Sequence, residues 1–144
     1  MFTDKAFCQF LLMYVAALDR LVLLSTAICN IYINAFITKL REVNTGCSVN
    51  GVLVGCIMYT DDLILISATV NGLQSMSNCC YNVSVNLMLK FNYAKSSCIA
   101  IGNGHAFNIS NMQLGNDLIS WSSSLKYLCV TFNVGKNCWW MLMS

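Results

Sequence analysis

Two adjacent carboxylates, Asp61 and Asp62, sit inside the stretch GVLVGCIMYTDDLILIS, residues 51 to 67, of a chain that has only six acidic residues in total. The runs on either side are almost wholly apolar, so the pair is fixed between segments that must be buried. Paired carboxylates are hard oxygen donors of the kind that hold Mg²⁺ and, with it, promote in-line displacement at phosphorus. A two-metal site needs more carboxylate than one turn carries, so at least one further acid is expected from elsewhere in the fold. The plain alternative is conformational, because aspartate favours turns through hydrogen bonds to its own backbone.

The elements that must position this pair follow from periodicity. Asn50-Gly51 is a strong hairpin signal, and Val52 to Val54 are expected to run on into Cys56 to Tyr59 as one apolar strand. Leu63 to Ile66 reads as a second strand, which places Asp61 and Asp62 at or beside a tight turn between two buried antiparallel strands. Upstream, Ser25 or Thr26 can cap a helix over 26–41. Ile28, Ile31, Tyr32, Ala35, Phe36 and Leu40 share one face, Lys39 and Arg41 occupy the last turn, and Asn44 and Gly46 end it. Downstream, Val70, Leu73, Met76, Cys80, Val83 and Leu87 form the apolar face of a helix over 70–87. Beyond it come LKFN, a polar YAKSS segment, a short strand CIAIG, a GNGH loop, and short strands around 111–119 and 125–132. The order predicts an α+β fold, an antiparallel sheet backed by helices on one face.

Composition narrows the function. The 144 residues amount to one domain, 57% hydrophobic and 10% charged, with no proline and a formal net charge of +2. That near-neutral balance marks neither a polybasic membrane ligand nor a strong nucleic-acid field, and so apolar a chain is expected to be poorly soluble. Nine cysteines form no C-x-x-C pair and His105 is the sole histidine, which favours reduced core thiols and an intracellular compartment over a zinc site or a disulfide framework. Two apolar blocks, 6–18 and 21–37, leave a membrane-associated protein inserting residues 6–37 as an alternative, although the longer block contains Ser25, Asn30 and Asn34.

Four blocks in order carry a family resemblance. MYTDDLILIS resembles the Y-x-D-D box of reverse transcriptases. CNIYINAFITKLREVNTGC (29–47) is similar to the F-N-I-Y-I-N-A-F-I segment upstream of that box in the non-LTR retrotransposon branch. LKFNYAKSSCIAIG (89–102) resembles its L-K-F-N-x-x-K-S segment, and KYLCVTF (126–132) its K-Y-L-G-V strand. The resemblance spans residues 25–133, leaving an apolar segment 1–24 and a tail 134–144 unmatched. It implies a partial palm of a right-hand polymerase, an RNA template, a DNA primer, deoxynucleotide substrates and Mg²⁺. It also implies that Asp61 and Asp62 hold the metal and act in catalysis, that Lys95 lies near the incoming triphosphate, that Tyr59 lines the primer end, and that Lys126, Tyr127 and Leu128 lie on a primer-supporting strand.

The departures are specific. DRLVLLST (19–26) stands where the family reads approximately R-Q-G-G-V-L-S-P, Thr26 replaces a proline, and Cys129 replaces a glycine. The first metal-binding aspartate of the family belongs to a segment normally many tens of residues upstream. FTDKAFC (2–8) resembles its D-x-x-K-A-F-D pattern only faintly, with Cys8 in place of the last aspartate and Asp4 the remaining candidate acid. The expectation is a truncated palm fragment, inactive alone; a non-catalytic remnant that binds nucleic acid or a full-length polymerase is the other alternative.

Overall fold

The computed structural model describes residues 10–17, 26–59, 62–101 and 111–134. In chain order they form β1 (Phe10–Ala17), α1 (Thr26–Val43), β2 (Ser48–Val49), β3 (Val52–Leu53), β4 (Cys56–Tyr59), β5 (Asp62–Ser67), α2 (Val70–Asn86), β6 (Phe91–Ile101), β7 (Met112–Leu114), β8 (Asp117–Ile119), β9 (Ser124–Tyr127) and β10 (Val130–Asn133). The expected α+β class holds. The segment 2–8, the GNGH loop, Asp61 and the tail beyond Val134 lie outside the described residues.

Four strands make the main sheet, in the order β4-β5-β1-β6, with every neighbouring pair antiparallel. Its centre is the apolar block that the membrane reading would insert into a bilayer. Phe10–Ala17 is a strand, bonded to β5 along one edge and to β6 along the other. A continuous apolar run is what a strand inside a sheet requires, and periodicity alone does not separate it from a helix. Among the described residues no helix is long and apolar enough to cross a membrane.

Strand alternation divides the sheet into two covered faces. Leu63 and Leu65 of β5 pack with Phe36 and Leu40 of α1 and with Leu73, Met76, Cys80 and Val83 of α2. Ile64 and Ile66 point the other way and pack with Ile99 and Ile101 of β6 and with Leu125, Tyr127 and Phe132 of the β9–β10 hairpin. The helices therefore back one face, as periodicity implied, and the hairpin closes part of the second. Ile31, expected on the buried face of α1, is 66% exposed, because burial centres on the Phe36 and Leu40 end of that helix.

Local chemistry sets the ends of these elements. Thr69 caps α2, its Oγ1 accepting from the Gly72 amide at 3.0 Å. Asn44 ends α1 at φ 52°, its amide donating to the Leu40 carbonyl. Asn50 and Gly51 both take positive φ in the two-residue β2–β3 hairpin, as the dipeptide predicts. The strand expected to run unbroken from Val52 to Tyr59 is interrupted at Val54 and Gly55. There the Val54 amide bonds the Cys47 carbonyl and the Gly55 carbonyl accepts from Ile66. A Cβ at Gly55 would stand 2.8 Å from both the Cys47 nitrogen and the Ile66 oxygen, so only glycine allows this approach.

Two further expectations are corrected. The short strand at CIAIG is the end of the 11-residue β6, which also takes in FN and the polar YAKSS segment. The regions 111–119 and 125–132 are each a hairpin, β7–β8 and β9–β10, rather than single strands. The first hairpin is tied to α2 by Gln74, whose amide group both donates to and accepts from the backbone of Gln113 at 2.9 Å. The second turns through Leu128 and Cys129 at φ 46° and 65°. Neither residue is suited to the left-handed region, which costs an ordinary side chain about 1 kcal/mol or more. We expect Cys129→Gly to stabilise the chain by about 1 kcal/mol, seen as a higher urea midpoint at unchanged slope. An unchanged or lower midpoint contradicts the turn conformation.

Candidate functional site

Tyr59 is the last residue of β4 and Asp62 the first of β5, and the two are direct cross-strand partners. The box Y-T-D-D is thus a β-hairpin with a two-residue connection, Thr60 and Asp61, both outside the described residues. Asp62 shares the alternation of Ile64 and Ile66, so its carboxylate is on the face turned away from the helices. It is half-buried, whereas Tyr59 at the edge of the sheet is 56% exposed.

The register extends this pair across the sheet. Ala16 of β1 is the partner of Asp62 on one side and of Asn92 on the other. Tyr59, Asp62, Ala16 and Asn92 form one row across four strands, and two strand spacings set Asn92 roughly 10 Å from Asp62. Immediately beyond Asn92 the ladder breaks: Val15 alone on β1 faces the four residues Tyr93 to Ser96 on β6. Asn92 closes this bulge, its Oδ1 accepting from the Lys95 amide at 3.2 Å and its carbonyl from Ser96 Oγ at 2.8 Å. Lys95 is carried on the bulge, exposed, at the same end of the sheet as Asp62. Asn92 is a member of the site that sequence reasoning missed. Its signal was the Asn-x-x-Lys spacing, which permits a side-chain-to-backbone turn presenting the lysine.

Tyr127 reaches the site from the second layer. It is 7% exposed and packs against Ile64, Ile99 and Ile101. Its phenol is pushed above the ordinary tyrosine range, first by burial and then by the negative charges of Asp62, Cys56 and Tyr59. Lys126, adjacent on β9, alternates to the outer surface, and Leu128 lies in the turn, half exposed, rather than on a strand. Of the residues singled out from the sequence, the structure therefore brings Tyr59, Asp62 and Tyr127 together, sets Lys95 along the same sheet end, and directs Lys126 away.

The donors available here for a metal are oxygens, which suits Mg²⁺ better than a softer ion. Among the described residues no group of three or more histidine, cysteine, aspartate or glutamate side chains converges. Among the described residues Cys80 and Cys98 are buried free thiols, Cys47, Cys56 and Cys79 are half-buried, and Cys129 is exposed in the β9–β10 turn. Burial pushes Cys56 up to about 11 and Cys98 to about 12, against an ordinary 9.0, and also raises the almost fully buried Cys80.

No known family model matches the chain, and no curated protein matches it.

The raised thiols and phenol fix the pH dependence of stability. Each folded pKa lies above its unfolded value, so as pH rises the unfolded chain loses protons first. The stabilisation is complete below about pH 9 and is lost as pH climbs through the folded values of about 11 and about 12. The urea midpoint should be flat from pH 7 to 8.5 and fall steadily between pH 9 and 11. A midpoint that stays level or rises over that interval contradicts the burial of these groups.

Proposed function

We propose that the chain is a partial palm of a reverse transcriptase of the non-LTR retrotransposon type, derived from an RNA-templated DNA polymerase and inactive by itself. The observation that carries this reading is the position of the Y-T-D-D box. It is a two-residue connection between antiparallel strands, in a sheet whose one face is backed by two helices. Asp62 thus opens a strand anchored in the sheet, with Asp61 next to it in the chain, which supports a reading in which a rigid element presents the carboxylate pair.

In this reading Asp61 and Asp62 would hold Mg²⁺, which when bound supplies the charge that activates a 3′ hydroxyl and neutralises a departing pyrophosphate. Tyr59, exposed beside Asp62, presents a ring to the primer end. Lys95, offered by the Asn92-closed bulge, supplies a positive charge to the triphosphate. Tyr127 fixes the second layer under the aspartate hairpin, while Lys126 and Leu128 present the outer surface and tip of the β9–β10 hairpin to nucleic acid. The reduced thiols fit an intracellular setting.

The candidate for the third carboxylate remains Asp4, which lies outside the described residues. Inactivity follows from the replaced Arg-Gln-Gly segment, where this chain reads DRLVLLST.

Two measurements test the reading together. In primer extension on an RNA template with Mg²⁺, no product is expected from the chain or from its Asp61→Ala, Asp62→Ala variant; extension by the parent alone would overturn the inactivity. In a titration with Mn²⁺ as a paramagnetic substitute, NMR signals of Asp62 and Asn92 should broaden first. The double variant should abolish that broadening. Broadening that is diffuse, or indifferent to Asp61 and Asp62, contradicts a polymerase-derived metal site.

A further inference from the structure

Away from the aspartate hairpin, the β6 bulge and the segment that follows β8 enclose a second concavity of about 500 Å³. Its wall includes Tyr93 and Ser96 from the bulge, Asp117 from β8, and Trp121 and Ser122 from the connection to β9. The size is within the range of small-ligand sites. Backbone hydrogen bonds fix both sides: the Cys98 amide donates to the Ser120 carbonyl at 3.0 Å and the Ser122 amide to the Cys98 carbonyl at 2.7 Å. The bulge is fixed separately by Asn92. Main-chain hydrogen bonds thus hold both sides of the cavity in place.

Its chemistry has one sign. Asp117 is the lining residue that carries a charge, and neither lysine, arginine nor histidine lines the cavity. The Tyr93 phenol is raised by burial, then by the Asp117 charge, then by Tyr81, so the carboxylate field reaches the aromatic wall. Ser96 Oγ donates to the Asn92 carbonyl and Ser122 Oγ to the Ser124 carbonyl. With that hydrogen committed, Ser122 Oγ can meet a ligand only through its lone pairs. A hydroxyl lone pair, a carboxylate and two aromatic residues in one wall all favour the same ligand: a planar, hydrogen-bond-donating cation that can stack while it pairs with the carboxylate.

We propose that this cavity binds a guanidinium group, with Asp117 as its counter-ion, Trp121 and Tyr93 as the stacking surfaces, and the Ser122 oxygen as an additional acceptor. The site is independent of the aspartate hairpin and of the polymerase reading. The guanidinium comes either from a free small amine or from an arginine side chain of a polypeptide.

The test is a ¹H–¹⁵N NMR titration of the full chain, following the Trp121 indole and the Tyr93, Ser96 and Ser122 amides. The ligands are agmatine, N-acetyl-arginine amide and N-acetyl-citrulline amide, the last being nearly isosteric with the arginine compound but uncharged. At least one guanidinium compound should shift these signals saturably, at least tenfold more tightly than citrulline. Tighter binding of agmatine identifies a free amine as the source, and tighter binding of the blocked arginine identifies a polypeptide. Asp117→Asn, at an exposed position that leaves the core intact, should weaken binding at least tenfold, and Trp121→Phe should retain most of it. Equal affinity for arginine and citrulline, no saturable shift, or an Asp117→Asn variant that binds as the parent does would each overturn the proposal.

Discussion

The hydrogen-bonding of a single strand to two neighbours at once holds the molecule together. β1 is the only route by which the β4–β5 hairpin and β6 become one described sheet, since those two units share no ladder. Each of its bonds is nonlocal: Leu12 pairs with Ile66 in one direction and with Ile99 in the other. Such contacts require closure of long loops before they stabilise anything. Once formed, they align Tyr59, Asp62 and Asn92 in one row, so the geometry of the candidate site is set by β1, which itself contributes no charged side chain within Phe10–Ala17.

The two faces of the sheet have different tasks. Leu63 and Leu65 anchor the aspartate hairpin to both helices, the deeper of the two cores. Ile64, Ile66 and Asp62 belong to the thinner side, where the β9–β10 hairpin supplies Leu125 and Tyr127 and leaves Ile57 and Tyr59 open at the β4 edge. That asymmetry puts a carboxylate and a tyrosine at an accessible rim directly next to a packed interior. A rigid support under an exposed polar pair is the arrangement binding and catalysis share. The same partial covering leaves apolar area exposed, consistent with the poor solubility implied by the composition.

Much of this architecture was legible in the residues. α1 and α2 announced themselves through three- and four-residue spacing, and α1 also through Asn44 and Gly46 at or beyond its end. Asn50-Gly51 specified its hairpin, and Asp62 lies, as expected, beside the turn between two antiparallel strands. What stayed hidden has physical causes. β1 is apolar at every position, and such a run carries no period. β6 was obscured because its bulge releases Tyr93 to Ser96 from the alternation that marks a strand. The Leu128-Cys129 turn uses residues that turn chemistry disfavours, and Asn92 is defined by a register that no local pattern encodes. The polymerase reading itself rests on collinear motifs and on the hairpin that carries one of them.

Amide hydrogen exchange along β1 tests this account most directly. A strand bonded on both edges protects consecutive amides, since those that do not point to β5 point to β6, whereas an edge strand protects only alternate ones. The account predicts protection of successive residues from Leu11 to Tyr14 at least as strong as that of Leu63 to Leu65. Exchange of those amides at the rate of an unstructured chain, or protection at every second residue, would contradict the central place of β1 and with it the row that joins Tyr59, Asp62 and Asn92.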